Sequence, residues 1–333
     1  MTLEAAMRLA IEHAEQVKGT TYPNPPVGAV ILDREGQIAG VGGTEPAGGA
    51  HAEVVALRRA GSRADGGTAV VTLEPCNHHG KTPPCVGALL AAGISTVAYA
   101  VPDPNPVAAG GAARLADADV KLLAGVLAEQ VAGGTLREWL HKQRTGTPHV
   151  TWKYASSMDG RSAAADGSSR WITSEASRAD VHRRRAVAEA IIVGTGTVFR
   201  DDPVLTARLP DGGLAERQPL RVVVGEREIS SESKVLNDDS RTMTIRTRDP
   251  HEVIKALSDR TDVLLEGGPT LAGAFVRAGV IDRILAYVAP ILLGGPITAV
   301  DDVGVPNIAM AQRWRFDGIE AIGPDVLLSL VPA

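Results

Sequence analysis

Leu3, Met7, Ala10, Ile11 and Ala14 recur at helical spacing, with Glu4 and Glu12 interrupting them, which predicts an amphipathic helix over 3–17. Beyond it, short apolar runs alternate with helical stretches. Strands are expected at 27–32, 68–73 and 96–101, and helices at 52–60 and 86–92, closed by Gly61 and Gly93. Pro102-Asp103-Pro104-Asn105-Pro106 halts the third strand. The segment Lys142 to Pro148 is polar and rich in turn formers, which divides the chain into domains 1–145 and 146–333. The second part repeats the alternation. Strands are expected at 149–154, 190–193, 220–224, 263–265, 283–289 and 326–330, with helices over 175–189 and from Thr270 onward. This rhythm predicts an α/β fold, with sheets covered by helices, in both parts. There is no internal repeat.

Composition narrows the function classes. The 333 residues are 44% hydrophobic but only 3% aromatic, a mix suited to close helix-on-sheet packing. A net charge of −5 offers no basic footprint for nucleic acid. The short basic clusters Arg58-Arg59 and Arg183-Arg184-Arg185 lie in helical patterns and read most simply as solvated faces. No apolar run is long enough to span a membrane, and the acidic residues of the first helix argue against a signal peptide. A cytoplasmic protein is expected. Two cysteines cannot build a disulfide framework in a chain of this size.

Those two cysteines sit instead in a chemical pattern. His51-Ala52-Glu53 is followed by Pro75-Cys76 and then Cys85. One imidazole and two thiolates give three ligands for tetrahedral Zn²⁺ and leave the fourth corner open, which is a catalytic arrangement. His51 and Cys85 precede expected helices, and Cys76 ends an expected strand, so three corners converge on one ion. Such an ion activates water for attack on an amino-bearing ring carbon, and Glu53 is placed to shuttle the proton. The order H-x-E, P-C, C is that of zinc deaminases acting on nitrogen heterocycles. Eight residues separate Cys76 from Cys85, against two in the common pattern. His78 or His79 is an alternative ligand in that loop, and Lys81 and Thr82 are suited to a phosphate or a ring edge.

Asn24-Pro25-Pro26-Val27-Gly28, His51-Ala52-Glu53, the cysteine loop and Asp103-Pro104-Asn105-Pro106 together resemble the bifunctional deaminase–reductase family of riboflavin biosynthesis. Trp171-Ile172-Thr173-Ser174, Gly194-Thr195-Gly196-Thr197-Val198, Asp201-Asp202-Pro203, and the run from Glu266 through Gly273 extend the resemblance over the second half, as do Ala289-Pro290 and Leu292-Leu293-Gly294. The resemblance implies a cytidine-deaminase-like α/β/α domain followed by a dihydrofolate-reductase-like α/β domain. It implies zinc-dependent deamination of a phosphorylated pyrimidine, then NADPH-dependent reduction of its ribosyl group, in a homo-oligomer.

Residue roles follow from the same resemblance. Asn24, Lys81, Thr82, Asp103 and Asn105 would line the deaminase site. Ala155, Trp171, Thr197, Asp201 and the segment Gly268, Pro269, Thr270, Leu271, Ala272, Gly273 and Ala274 would hold NADPH. Ser169, Arg185, Leu205, Arg208 and Glu266 would hold the reductase substrate, with Arg185 and Arg208 as anion partners. Lys153 and Asp201 would polarise the sugar, although Lys153 reads equally well as an exposed strand lysine. One departure stands out: the histidine that family members often carry seven residues before the zinc histidine is Thr44 here. No GxGxxG fingerprint is present; the physical case for a cofactor rests on the glycine-rich turn from strand 263–265 into a helix, an anion cradle. A chain retaining only the deaminase activity, a nucleic-acid deaminase and a zinc-stabilised binding module are the competing readings.

Overall fold

A computed structural model describes residues 1–80 and 83–333. The chain forms two compact units, Met1–Gly146 and Thr147–Ala333. The first holds a five-stranded sheet in the order β2-β1-β3-β4-β5. Its strands are β1 (Gly28–Leu32), β2 (Ile38–Gly43), β3 (Thr68–Leu73), β4 (Thr96–Val101) and β5 (Lys121–Ala124). β1 runs antiparallel to β2 and β3, whereas β3, β4 and β5 are parallel. The helices are α1 (Leu3–Val17), α2 (Ala52–Ala60), α3 (Cys85–Ala91), α4 (Gly111–Ala116), α5 (Ala128–Ala132) and α6 (Arg137–Thr145).

Local chemistry explains these elements. Thr2 caps α1 by accepting the Ala5 amide, and Ala6, Met7, Ala10 and Ala14 face the sheet fully buried. α1 lies so close to β1 that a Cβ on Gly28 would stand 1.8 Å from the Ala10 carbonyl oxygen. β2 escaped the pattern reading because it is IAGVGG, and glycine is depleted in strands. Its glycines are there for packing: a Cβ on Gly40 would meet the Ala56 carbonyl of α2 at 2.2 Å. Adjacent parallel β3 and β4 end together, Leu73 opposite Val101. They therefore deliver Glu74-Pro75-Cys76 and Asp103–Asn105 to one sheet edge, where α/β sheets place ligand sites.

The second unit is built on an eight-stranded sheet in the order β12-β13-β11-β6-β10-β7-β8-β9. These are β6 (His149–Ser157), β7 (Ala190–Gly194), β8 (Leu220–Val224), β9 (Thr242–Ile245), β10 (Asp262–Leu265), β11 (Arg283–Ala289), β12 (Trp314–Ile322) and β13 (Asp325–Pro332). β11, β6, β10, β7, β8 and β9 are parallel, and β12 and β13 add an antiparallel edge. Helices α7 (Glu175–Val187), α8 (Thr195–Asp201), α9 (Pro250–Ala256) and α10 (Pro269–Arg277) cover it. In β7, Ala190 and Ile192 enter one core while Ile191 and Val193 enter another, so both faces are buried, as parallel strands require. β12 is exposed along most of its length and lacks clean alternation, which hid it in the sequence.

Candidate active sites

In the first unit, the His51, Cys76 and Cys85 ligand atoms lie within 4.8 Å of one another. His51 is the residue before α2, Cys76 follows β3, and Cys85 opens α3. His51 Nδ1 stands 3.5 Å from Cys76 Sγ and 3.3 Å from Cys85 Sγ. Ligands at about 2.0–2.3 Å from a tetrahedral zinc stand roughly 3.3–3.8 Å apart, so spacing and donor set both fit that ion. The Cys85 amide also points at Cys76 Sγ, at 3.5 Å. Hydrogen bonding from Cys85, together with the His51 charge, outweighs burial and holds the Cys76 thiol down at about 4. The same contact and burial push Cys85 up. A thiolate, a thiol that a metal ion would deprotonate and an imidazole are the donor types that zinc takes.

Glu53, in the first turn of α2, is buried, and burial followed by the Cys76 charge raises its carboxyl to about 7. A carboxyl poised near neutrality can both take and return a proton. A cavity of about 310 Å³ opens over it, bounded by Asn24, Thr44, His78, Asp103 and Asn105 as well as His51, Cys76 and Glu53. Asp103 Oδ1 accepts the Asn105 amide at 2.9 Å, and burial raises the Asp103 carboxyl. Among the described residues, neither His78 nor His79 joins the ligand group. His78 faces the cavity instead, and its buried Nδ1 has no hydrogen-bond partner among the described residues. Thr44 is buried, and its hydroxyl lies against the Val27 backbone, accepting that amide at 3.2 Å. Lys81 and Thr82 lie outside the described residues.

A second cavity, of about 670 Å³, opens in the second unit. β6 contributes Lys153 and Ala155, α7 contributes Arg185, and α8 contributes Thr197 and Asp201. Loops add Ser169, Trp171, Leu205, Arg208 and Glu266. Trp171 is 68% exposed, with the Arg178 guanidinium 4.6 Å from its ring centroid. An indole platform beside arginines suits a phosphorylated dinucleotide such as NADPH. Lys153 is not an exposed strand lysine: its side chain is 16% accessible, and its Nζ lies 3.9 Å from Glu266.

The Arg183-Arg184-Arg185 triplet is not a solvated face either. Only Arg183 is exposed; Arg184 pairs with Asp180 at 2.8 Å, and half-buried Arg185 pairs with Glu266 at 2.7 Å. The Arg185 fork, read from the sequence as an anion partner, is thus taken by a carboxylate of its own chain. The glycine-rich turn also divides. Gly268 precedes α10, and a Cβ there would touch Thr197 Oγ1 at 3.5 Å. Thr270 bonds Asp301 at 2.7 Å, Leu271 packs on Gly267, and Ala272 and Gly273 are buried in the helix face. None of the residues from Gly268 to Ala274 borders the cavity.

Two family patterns match the chain. The cytidine and deoxycytidylate deaminase zinc-binding region matches residues 1–101, and the RibD C-terminal domain matches residues 148–328. The riboflavin biosynthesis protein RibD of Mycobacterium tuberculosis is 72% identical over 330 residues, which are 99% of this chain and 97% of that protein. The chain belongs to the RibD family. The Escherichia coli RibD is 38% identical over 371 residues, covering 99% of each chain. The solved structure of Acinetobacter baumannii RibD, form 1, superposes with a TM-score of 0.89 at 37% identity, covering 99% of both chains. A Thermotoga maritima diaminohydroxyphosphoribosylaminopyrimidine deaminase/5-amino-6-(5-phosphoribosylamino)uracil reductase superposes equally well, at 0.89 and 31% identity over 99% of each.

As a RibD-family protein of riboflavin biosynthesis, the chain carries a zinc-binding deaminase domain and a reductase domain, and each unit has a cavity of its own. Pattern reading missed one RibD side chain at the first site. Glu74 is buried beside the cavity, and its two oxygens accept the amides of Asp103 at 3.2 Å and Ala112 at 2.9 Å. Its position directly before Pro75-Cys76 was the available signal.

Proposed function

We propose that the first unit hydrolytically deaminates 2,5-diamino-6-ribosylamino-4(3H)-pyrimidinone 5′-phosphate. The second then reduces the ribosyl group with NADPH, giving 5-amino-6-ribitylamino-2,4(1H,3H)-pyrimidinedione 5′-phosphate. The observation that carries this reading is the His51–Cys76–Cys85 trio with buried Glu53 under a cavity of its own, on a chain that also bears the Lys153–Glu266–Arg185 cleft. The similar Thermotoga maritima protein, a diaminohydroxyphosphoribosylaminopyrimidine deaminase, supports the substrate assignment.

Zinc held by His51, Cys76 and Cys85 would supply Lewis acidity that activates water for attack on the amino-bearing ring carbon. Glu53 passes one proton of that water to the ring nitrogen and then the second, from the hydroxyl on the ring carbon, to the amine, which leaves as ammonia. Asn24, Asp103 and Asn105 orient the pyrimidine, with Lys81 and Thr82 assigned to the substrate as well. In the second unit, NADPH would supply the hydride. Trp171, Ala155, Thr197 and Asp201 hold the cofactor, and the start of α10 lies behind Thr197, outside the cavity wall. Ser169, Leu205 and Arg208 hold the substrate, Arg208 facing its phosphate, while Arg185 orients Glu266. Lys153 and Asp201 polarise the sugar.

The proposed setting is the cytoplasm, in keeping with two cysteines that remain free thiols, and the proposed assembly is a homo-oligomer. Among the described residues, no helix is long and apolar enough to cross a membrane. Mass spectrometry of the ribosylamino substrate tests the whole reading. A gain of about one mass unit without cofactor reports deamination, and about two more with NADPH report reduction. No mass change under either condition overturns it.

A further inference from the structure

A buried polar network in the second unit has no part in the scheme above. Tyr287 of β11 is fully buried. Its hydroxyl donates to Asp180 Oδ2 and accepts from Arg184 Nε, and those two α7 side chains are paired at 2.8 Å. The ring lies in an apolar cluster with Val181, Leu285 and Leu327. The Lys153 ammonium sits over this ring, 5.7 Å from its centroid, within cation–π range. The strand register explains the meeting. In parallel β6 and β11, Lys153 lies opposite Leu285 and Ala155 opposite Tyr287, so Lys153 and Tyr287 are diagonal neighbours on one face.

Lys153 needs such support. Its flexible four-carbon stem carries a charge into a site where burial lowers its affinity for the proton. Glu266 stands at 3.9 Å, but both oxygens of that carboxylate are already engaged by the Arg185 fork. Arg185 also opposes the ammonium by like charge. The aromatic face is a second attractive surface, and it is held from both sides, by packing at the ring and by Asp180 and Arg184 at the hydroxyl.

We propose that Tyr287 is a positioning residue for the reduction: its ring, seated by Asp180 and Arg184, holds the Lys153 ammonium in place to act on the sugar. The proposal rests on the assignment of Lys153 to the reduction step, and the experiment separates the two. Steady-state reduction is measured on full-length protein, with NADPH binding by fluorescence as the check on the second unit. Lys153→Met is expected to abolish reduction; if it does not, the role of Lys153 falls, whatever Tyr287 does.

With Lys153→Met inactive, Tyr287→Leu is expected to lower kcat about tenfold or more, with both KM values within about twofold, because the face is gone and the pocket is not. Tyr287→Phe keeps the face and restores kcat to within about threefold of wild type. Equal kcat in the Leu and Phe variants overturns the proposal, as does a loss confined to KM. If Tyr287→Leu binds no NADPH, Tyr287→Met decides. It fills much of the volume of the ring without its aromatic face, so a several-fold fall in kcat at unchanged KM supports the role, and wild-type kcat overturns it.

Discussion

Arg185 and Glu266 face each other as a two-pronged pair, Nε to Oε1 at 2.7 Å and Nη2 to Oε2 at 2.9 Å, at the wall of the second cavity. Burial alone would raise the Glu266 carboxyl; the Arg185 charge and its hydrogen bonds, with Lys153 behind them, pull it down to about 2. The folded value lies below the unfolded one, so the stabilisation is complete above about pH 4.5 and is lost as pH falls toward 2. Glu266→Gln removes the charge and strands the buried guanidinium, a loss of roughly 3 kcal/mol or more at neutral pH. Thermal unfolding of the second unit should show a large gap between wild type and variant at pH 7 that narrows steadily below pH 4.5. A gap that stays constant down to pH 3 would mean the pair contributes no net charge stabilisation.

Glu53 is beside the metal ligands but is not one of them, so metal binding and proton transfer are separable. Glu53→Gln keeps the volume of the buried side chain and removes its acid–base function. The expected outcome is about one zinc per chain by elemental analysis, deamination lowered by about two to four orders of magnitude, and reduction of supplied deaminated substrate unchanged. Normal deamination by this variant would remove Glu53 from the mechanism.

Glu74 ties the strand that carries Cys76 to the loop that carries Asp103 and Asn105. In Glu74→Gln one oxygen becomes an amino group, which cannot accept the Asp103 or Ala112 amide. One buried backbone donor then goes unmet, at about 1–3 kcal/mol. Because the loop faces substrate while the ligands are held separately, KM for deamination should rise by roughly fivefold to 150-fold with zinc content intact. Loss of zinc from this variant would relocate Glu74 to the metal centre.

The candidate zinc site was legible because its chemistry needs particular residue types at element ends, and a strand or helix terminus can be recognised without knowing the packing. The trio and Glu53 came from that logic and from the H-x-E, P-C, C order of zinc deaminases, and the fold brings the three ligand atoms together. What stayed hidden is set by contacts between distant segments. Glycine-rich β2 looks like a loop until α2 is seen lying on it. Arg184 and Arg185 look like surface charge until β11 and the end of β10 bring Tyr287 and Glu266 to them. The glycine-rich turn before α10 reads as a phosphate cradle, yet Gly273 is small because the Asp302 carbonyl oxygen would stand 2.7 Å from its Cβ.

The same distinction between glycines yields a test at the metal centre. Gly111 opens α4, and a Cβ there would lie 1.7 Å from the Pro75 carbonyl oxygen and 3.3 Å from Val86 Cγ2. Pro75 precedes one zinc ligand and Val86 follows the other, so the helix start presses on both cysteine segments at once. A methyl group cannot enter without moving backbone, and the movable backbone is the one that sets the Cys76 to Cys85 spacing. Gly87, by contrast, lies exposed on α3 with no atom within 4 Å of its Cβ position. Gly111→Ala should weaken zinc affinity about tenfold or more in competition with a chromophoric chelator, since a ligand shift of a few tenths of an ångström distorts the tetrahedron. Gly87→Ala, two residues beyond Cys85, should leave affinity unchanged and stabilise the first unit by up to about 1 kcal/mol through helix propensity. Equal zinc affinity in the two variants would show that α4 does not brace the ligands.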